Sequence, residues 1–317
     1  MIRSVIAGTG GYLPARSLSN DELAAEFNLD TSDAWISERT GIRRRHMAAP
    51  GESTADMAAA ACREALAQAG AEASQVDAII LATATPDSAF PSTATRVQQK
   101  LGITQGFSFD ISAACTGFIY ALGVADSMIR AGNCRNVLVV GAEAFTRILD
   151  WNDRGTCVLF GDGAGAVLLR ATEDSGESNP RGILSTHLHS DGRHGDILQV
   201  EGGLVRMAGR EVFRHAVSKL ASAVDEALAH NGLGHSDVQW LVPHQANLRI
   251  ITAMGKKLGL PSEQVVVTVD RHANTSAASI PLALAEATRD GRIRKGDLVL
   301  MEAIGGGLTW GAALARF

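Results

Sequence analysis

The sequence predicts an α/β protein made of two related halves. Three observations carry the prediction: an internal repeat half the chain long, alternation of helix-like and strand-like segments, and strands that are apolar almost throughout. Glu64-Ala-Leu-Ala opens a stretch ending in Val76-Asp-Ala-Ile-Ile80. Glu226-Ala-Leu-Ala opens another, ending in Val238-Gln-Trp-Leu-Val242, and the two align without a gap at an offset of 162. Val137-Leu-Val-Val-Gly-Ala142 then matches Leu298-Val-Leu-Met-Glu-Ala303 at an offset of 161. Between these anchors each half carries a Leu-Gly pair, Leu101-Gly102 and Leu258-Gly259. A period this long means two related domains, not a solenoid.

The first half reads in order as follows. Ser53 and Asp56 have capping-box spacing and open an Ala-rich helix to Ala69, followed by an apolar strand over 78–82. A helix over 93–101, a strand over 107–111 and a helix from about Cys115 to Arg130 come next. A strand over 137–140 and the glycine-punctuated run 157–169, read as strand, close the half. In the second half an apolar strand ends at Val242, and another is expected over 265–269 before a small-residue helix. The segment ATEDSGESNPRG is polar and turn-rich, which places the boundary there: one half over 1–174, the other over 175–317.

Composition narrows the function classes. With 317 residues, 46% apolar and 20% charged, the chain is an ordinary globular one, neither disordered nor coiled coil. A net charge of −5 lacks the field of a dedicated nucleic-acid binder. The weakly polar stretch 111–125 is bounded by Asp110 and Asp126 and cannot span a bilayer, and the first residues lack a signal-peptide core. Cys62, Cys115, Cys134 and Cys157 show no CxxC spacing, so free thiols in a reducing cytoplasm are expected.

Cys115 is the thiol placed for chemistry. It sits in Ser112-Ala-Ala-Cys-Thr-Gly117, where a strand hands over to a small-residue helix. A helix N-terminus would stabilise its thiolate. The ordinary alternative is a buried structural cysteine, which is the only reading for Cys62 in mid-helix and Cys157 in mid-strand, while Cys134 falls in an inert turn. His244, in Val242-Pro-His-Gln-Ala-Asn247, follows a strand end, where α/β folds bind ligands. Asn274, in His272-Ala-Asn-Thr-Ser-Ala-Ala278, lies near the repeat equivalent of Cys115. Each alone is more simply a satisfied loop residue. If a pseudo-twofold relates the halves, however, the three turns converge on one site. Gly305-Gly-Gly-Leu-Thr-Trp-Gly311 could be a plain hairpin, or a close backbone approach of the kind an oxyanion hole needs.

Other motifs are weaker. Gly8-Thr-Gly-Gly11 and Gly161-Asp-Gly-Ala-Gly165 lack the dinucleotide fingerprint, so no such cofactor is expected. His187, His189 and His194 lie in a stretch read as turn-rich and are taken as surface residues, with no metal site. Trp35, Arg39 and Arg43 to Arg45 form an aromatic-basic cluster. It is either a solvated helix end or a platform for adenine and phosphates.

Taken together, DTSDAWISERTGIRRRH, ISAACTGF, DRGTCVLFGDGAGA, LVPHQANLRII, DRHANTSAAS and AIGGGLTWGAAL resemble, in that order and from end to end, the β-ketoacyl-acyl-carrier-protein synthase III family. That resemblance implies the duplicated five-layer α-β-α-β-α fold of the thiolase superfamily. It implies Cys115 as acyl-accepting nucleophile with His244 and Asn274, and an oxyanion hole from the amides of Cys115 and Gly306. It implies a coenzyme A tunnel using Thr31, Trp35, Arg39, Arg154, Gly155, Phe213, Ala246 and Asn247, with Arg214, Arg249, Lys256 and Lys257 meeting an acidic carrier protein. Phe90, Leu198 and Ile304 fall at acyl-pocket positions, Phe90 reaching across the interface of a homodimer.

The family pattern carries Phe where this chain has Ile304, and the segment 197–206 is shortened, so primer length and branching stay open. The implied reaction is self-acylation from a short acyl-coenzyme A, acetyl-coenzyme A first among them. Decarboxylative condensation with malonyl-carrier protein follows, and no metal or organic cofactor is needed. The alternatives are a priming synthase of a polyketide or quinolone pathway and a non-catalytic partner subunit. A degradative thiolase fits less well, because no cysteine lies beyond Cys157.

Overall fold

A computed structural model describes residues 2–173, 176 and 180–317. The first half begins with β1 (Ile2–Tyr12), then β2 (Arg16–Ser19), α1 (Asn20–Glu26), α2 (Asp33–Thr40) and β3 (Arg44–Met47). It continues with α3 (Thr54–Gln68), β4 (Ala78–Ala82), α4 (Thr93–Lys100), β5 (Phe107–Ile111), α5 (Gly117–Arg130), β6 (Asn136–Ala144) and β7 (Asp162–Glu173). The second half contributes β8 (Gly182–Ser190), β9 (Leu198–Glu201), β10 (Leu204–Met207), α6 (Gly209–His230), β11 (Trp240–Pro243) and α7 (Leu248–Leu258). It ends with α8 (Val269–His272), α9 (Ser279–Arg289), β12 (Leu298–Gly305) and β13 (Thr309–Arg316). The boundary expected between 174 and 175 lies outside the described residues.

Two sheets run in the orders β1-β7-β6-β4-β5 and β11-β12-β13-β8. In each, a parallel pair (β4 with β6, β11 with β12) is continued by two antiparallel strands, so the repeat in sequence is a repeat in topology. The apolar faces make the layers. α5 and α9 lie between the sheets, where Phe118, Leu122, Ile280 and Leu284 pack with Ile80 and Val139 of one sheet and Val299 and Met301 of the other. α3 and α4 cover the outer face of the first sheet, and α6 and α7 that of the second. This is the five-layer arrangement of the thiolase fold. The capping box at α3 forms as expected: the Asp56 amide donates to Ser53 Oγ at 3.0 Å and the Ser53 amide to Asp56 Oδ2 at 2.9 Å. The first glycine cluster serves packing, since a Cβ on Gly10 would lie 2.2 Å from the Ala61 carbonyl oxygen of α3.

Three local expectations are corrected. The strand expected over 265–269 shrinks to a single parallel bridge, Leu241 to Val265, at the place β5 takes in the first sheet. The side chain of Gln245 is the cause: its Oε1 accepts from the amides of Thr268 and Val269 and its Nε2 donates to the Val266 carbonyl, replacing a ladder. Cys157 lies in a buried turn, not mid-strand, because Asp153 draws the backbone round by accepting from Thr156 Oγ1 and, through its carbonyl, from the Cys157 amide. His187 and His189 sit on β8, where both pair with Glu226 of α6, and so lie on a strand and not in a turn.

Candidate active site

The site forms where turns from both halves meet. Cys115 occupies the short 3-10 turn Ala114–Thr116 between β5 and α5 and is 5% exposed. Ala114, just before the cysteine, takes φ +46°. From the second half, Ala273 (φ +58°) and Ser276 (φ +49°) flank Asn274. Of the four described non-glycine residues at positive φ, three therefore lie within two residues of Cys115 or Asn274. Each costs of order 1 kcal/mol and persists only where its surroundings over-determine it.

Hydrogen bonds show what over-determines them. The Thr309 hydroxyl donates to the Ala113 carbonyl at 3.1 Å and the Thr116 hydroxyl to the Thr309 carbonyl at 3.0 Å, stitching the β12–β13 turn to the cysteine turn. Gly305 lies so close that an added Cβ would stand 2.6 Å from the Cys115 amide nitrogen. The glycine run is thus both hairpin and close backbone approach. Among the described residues no turn or cap bond takes the amide of Cys115 or Gly306.

His244 and Asn274 are both buried. His244 Nδ1 is 2.6 Å from Ser279 Oγ, and Ser279 Oγ donates to the Ser276 carbonyl at 2.9 Å. The Ser276 amide in turn donates to Asn274 Oδ1 at 2.8 Å, which leaves the Asn274 Nδ2 to donate elsewhere. Cys115 is reached through Ser276, whose hydroxyl lies beside the thiol. Burial pulls the His244 imidazole down to about 3, so the ring is neutral. Burial pushes the Cys115 thiol up to about 12, with Ser276 opposing and Glu143 reinforcing. The stabilisation expected from the helix terminus is thus opposed by enclosure, which favours the protonated thiol.

Around this centre, the α2 end carries Thr31 and a half-buried Trp35, with the guanidiniums of Arg39 and Arg154 4.6 and 5.2 Å from the Trp35 ring centre. Arg154 also bonds Asp30, and the amide of its exposed neighbour Gly155 donates to Asp153. The aromatic-basic cluster is smaller than expected, since Arg45 is fully buried and donates to the Val158 carbonyl at 2.9 Å. Ala246 follows the His244 turn, and Asn247 caps α7 while donating to the Arg39 carbonyl at 3.1 Å. Arg249 bonds the Glu38 carbonyl, and Lys256 and Lys257 are exposed on the last turn of α7. A groove of about 380 Å³ between α2 and α7 is lined by Arg249 and Lys256 among others, and none of the three central residues reaches it.

Phe213 and Arg214 are exposed near the start of α6. Leu198 starts β9 and closes on Gly306, where an added Cβ would be 2.6 Å from the Leu198 carbonyl oxygen; Ile304 is buried at the end of β12. Phe90 stands apart, 86% exposed in the loop before α4. No His, Cys, Asp and Glu group of three or more is arranged to hold a metal among the described residues, and no helix among them is long and apolar enough to cross a membrane. The roles of Ser276, Ser279 and Glu143 went unread in the sequence. Only the hydroxyls in NTSAAS hinted at the first two.

Comparison with known proteins agrees with this geometry. The family pattern described as 3-oxoacyl-[acyl-carrier-protein (ACP)] synthase III matches residues 109–192, and that for its C-terminal part residues 228–317. The β-ketoacyl-[acyl-carrier-protein] synthase III of Acidiphilium cryptum is 65% identical over all of both chains. That of Rhodospirillum centenum is 62% identical over 100% of this chain and 99% of its own. The crystal structure of 3-oxoacyl-[acyl-carrier-protein] synthase III from Aquifex aeolicus superposes with a TM-score of 0.94 at 48% identity, over 99% of this chain and 100% of that one.

Proposed function

Because the chain belongs to the β-ketoacyl-[acyl-carrier-protein] synthase III family, an acyl-transferring family of condensing enzymes, we propose that it joins a short acyl group from acyl-coenzyme A to malonyl-carrier protein. The condensing role in fatty-acid synthesis comes with the family. Which residues perform it, and on which thioesters, is our reading. Its single strongest support is that strained turns from both halves carry Cys115 and Asn274, with His244 tied to the second of them through Ser279.

In the first half-reaction the Cys115 sulfur attacks the acyl carbonyl. Its proton passes to His244, which burial keeps unprotonated and able to accept, and then to the departing coenzyme A sulfur. The amides of Cys115 and Gly306 hold the transient oxyanion. In the second, the malonyl thioester loses carbon dioxide. For this step His244 takes the tautomer with its proton on Nε2, Ser279 Oγ then donating to Nδ1, so that His244 and Asn274, both uncharged, each donate to the enolate oxygen without supplying an acid that would quench the carbanion. The carbanion attacks the acyl-cysteine carbonyl and the Cys115 thiolate leaves, giving a 3-oxoacyl-carrier protein. One thioester is exchanged for another, so the chemistry asks for no resident cofactor.

Trp35, Arg39 and Arg154 would grip the nucleotide of coenzyme A, with Thr31, Gly155, Phe213, Ala246 and Asn247 along its tunnel. Arg214, Arg249, Lys256 and Lys257 would meet the acidic carrier. We take 1–174 and 175–317 as the two halves. The chain is read as a homodimer, with the exposed Phe90 and the β5 edge facing a second copy and Phe90 reaching an acyl pocket built by Leu198 and Ile304. The four free buried thiols fit a reducing cytoplasm. The test is intact-mass detection of the acyl-enzyme beside carbon dioxide release from malonyl-carrier protein. Cys115→Ala should not acylate, and His244→Ala or Asn274→Ala should lose carbon dioxide release by about 10²–10³-fold. A Cys115→Ala protein that still gains one acyl mass would overturn the assignment.

A further inference from the structure

Glu143, near the end of β6, is wholly buried. Its carboxylate accepts from the Thr85 hydroxyl at 2.6 Å, the Thr83 hydroxyl at 3.2 Å and the Ala84 amide at 3.1 Å. Thr85 Oγ1 also accepts from the Ala144 amide at 2.8 Å, so the end of β4 and the end of β6 are locked together through this one side chain. Across the seam between the halves, Glu143 faces Ser276 and the Ala277 amide. There β6 comes so near the second half that a Cβ on Gly141 would meet the Ala277 carbonyl oxygen at 2.1 Å. The Ser276 hydroxyl lies beside both the Glu143 carboxylate and the Cys115 thiol, yet closes a full hydrogen bond to neither.

Resting on the reading of Cys115 as nucleophile, we propose that Glu143 is a positioning residue. It holds the ends of β4 and β6 against the 276–277 segment at the seam, with the Ser276 hydroxyl between its carboxylate and the thiol, and as a buried anion beside Cys115 it keeps the resting thiol protonated. Thr83, Ala84 and Thr85 donate to this carboxylate from one segment and Ser276 and Ala277 face it from another, with no described cation acting on it, which is how an anion is kept in a dry interior. Its titratable neighbours are few. Cys115 faces it from the 3-10 turn. On β7, Asp162 is turned away to the amides of Ala48 and Thr146. Burial raises Glu143 to about 7, so its charge comes and goes near neutrality. A buried like charge moves a neighbouring acid by about a unit or more, equal to tenfold in thiolate.

The experiment follows iodoacetamide alkylation of Cys115 by mass spectrometry from pH 6 to 9.5, against a Cys115→Ala background. In the wild type the logarithm of the rate should bend near pH 7, where Glu143 ionises and slows further gain. Glu143→Gln should remove the bend and raise the rate at pH 8 about tenfold, and Glu143→Asp should restore the bend. Unchanged rates and an unchanged bend in the Gln protein would overturn the proposal. If that protein does not fold, Ser276→Ala decides: alkylation several-fold slower supports the contact, and an unchanged rate overturns it. No acyl donor enters this assay. A Cys115 that titrates as expected but accepts no acyl-coenzyme A would sink the proposed reaction and leave this one standing.

Discussion

Gly305→Ala tests the close approach that joins the two halves at the nucleophile. Gly305 has no positive φ, so alanine brings no backbone penalty and the whole effect is contact. The new carbon would stand 2.6 Å from the Cys115 nitrogen, 3.1 Å from its Cβ and 3.2 Å from its Cα. Packed atoms prefer about 3.5 Å, so hairpin and cysteine turn must part by roughly 0.9 Å. Overpacking of this kind costs about 1–3 kcal/mol, a few degrees of Tm for a chain of this size. Displacing the neighbouring Gly306 amide by nearly 1 Å costs about 10²-fold in rate. The assay is the rate of Cys115 acylation by acetyl-coenzyme A, followed by intact mass beside a thermal melt. Gly192→Ala is the control, since an added carbon there meets open space. A Gly305→Ala protein that acylates within about threefold of wild type would refute the claim that this contact sets the oxyanion geometry.

Trp35→Ala and Arg154→Ala should weaken use of acyl-coenzyme A far more than use of a short acyl-pantetheine thioester, because remote binding energy helps position the reacting carbonyl; equal losses with both donors would remove these residues from the nucleotide site. Arg249→Glu with Lys256→Glu should raise KM for malonyl-carrier protein at low salt, leave self-acylation near normal, and converge on wild type at high salt. A salt-independent defect would speak against steering. Glu302, buried on β12 and raised from 4.5 to about 8, keeps its proton in the fold after the unfolded chain has lost it, so stability falls as pH rises from about 4.5 to 8. Glu302→Gln should remove that fall, gaining about 3 kcal/mol over wild type between pH 5 and 8 in urea unfolding; parallel curves would show that Glu302 ionises normally.

The fold was legible because the repeat is written in residues that do the same work twice. Val137 to Ala142 and Leu298 to Ala303 lie in the central strands β6 and β12, buried on both faces, where only apolar residues fit. The 265–269 segment misled because its apolar letters suit a strand, while Gln245, twenty residues earlier, takes its backbone groups. Cys115 was legible by its position after β5. Its protonation was not, since enclosure by Gly305 and the proximity of Glu143 are set by segments far along the chain. Ser279 likewise gains meaning only when α9 brings it under His244.

The location of the site follows from where strain can be held. A non-glycine residue at positive φ relaxes if its turn is free, so Ala114 alone could not hold the cysteine turn. The hairpin bearing Thr309 and Gly305 comes from the other half and closes over that turn. Ala273 and Ser276 stand in the opposite case: the Leu159 carbonyl and the Gly161 amide, both of the first half, bond the backbone of Asn274. Each half thus holds the strained turn of the other. Neither turn would keep its shape in an isolated half, so the two half-sites are assembled by the same packing that buries α5 and α9. Duplicating the domain did more than double the core, because it provided the rigid seam on which a thiol, an imidazole and an amide can be held together.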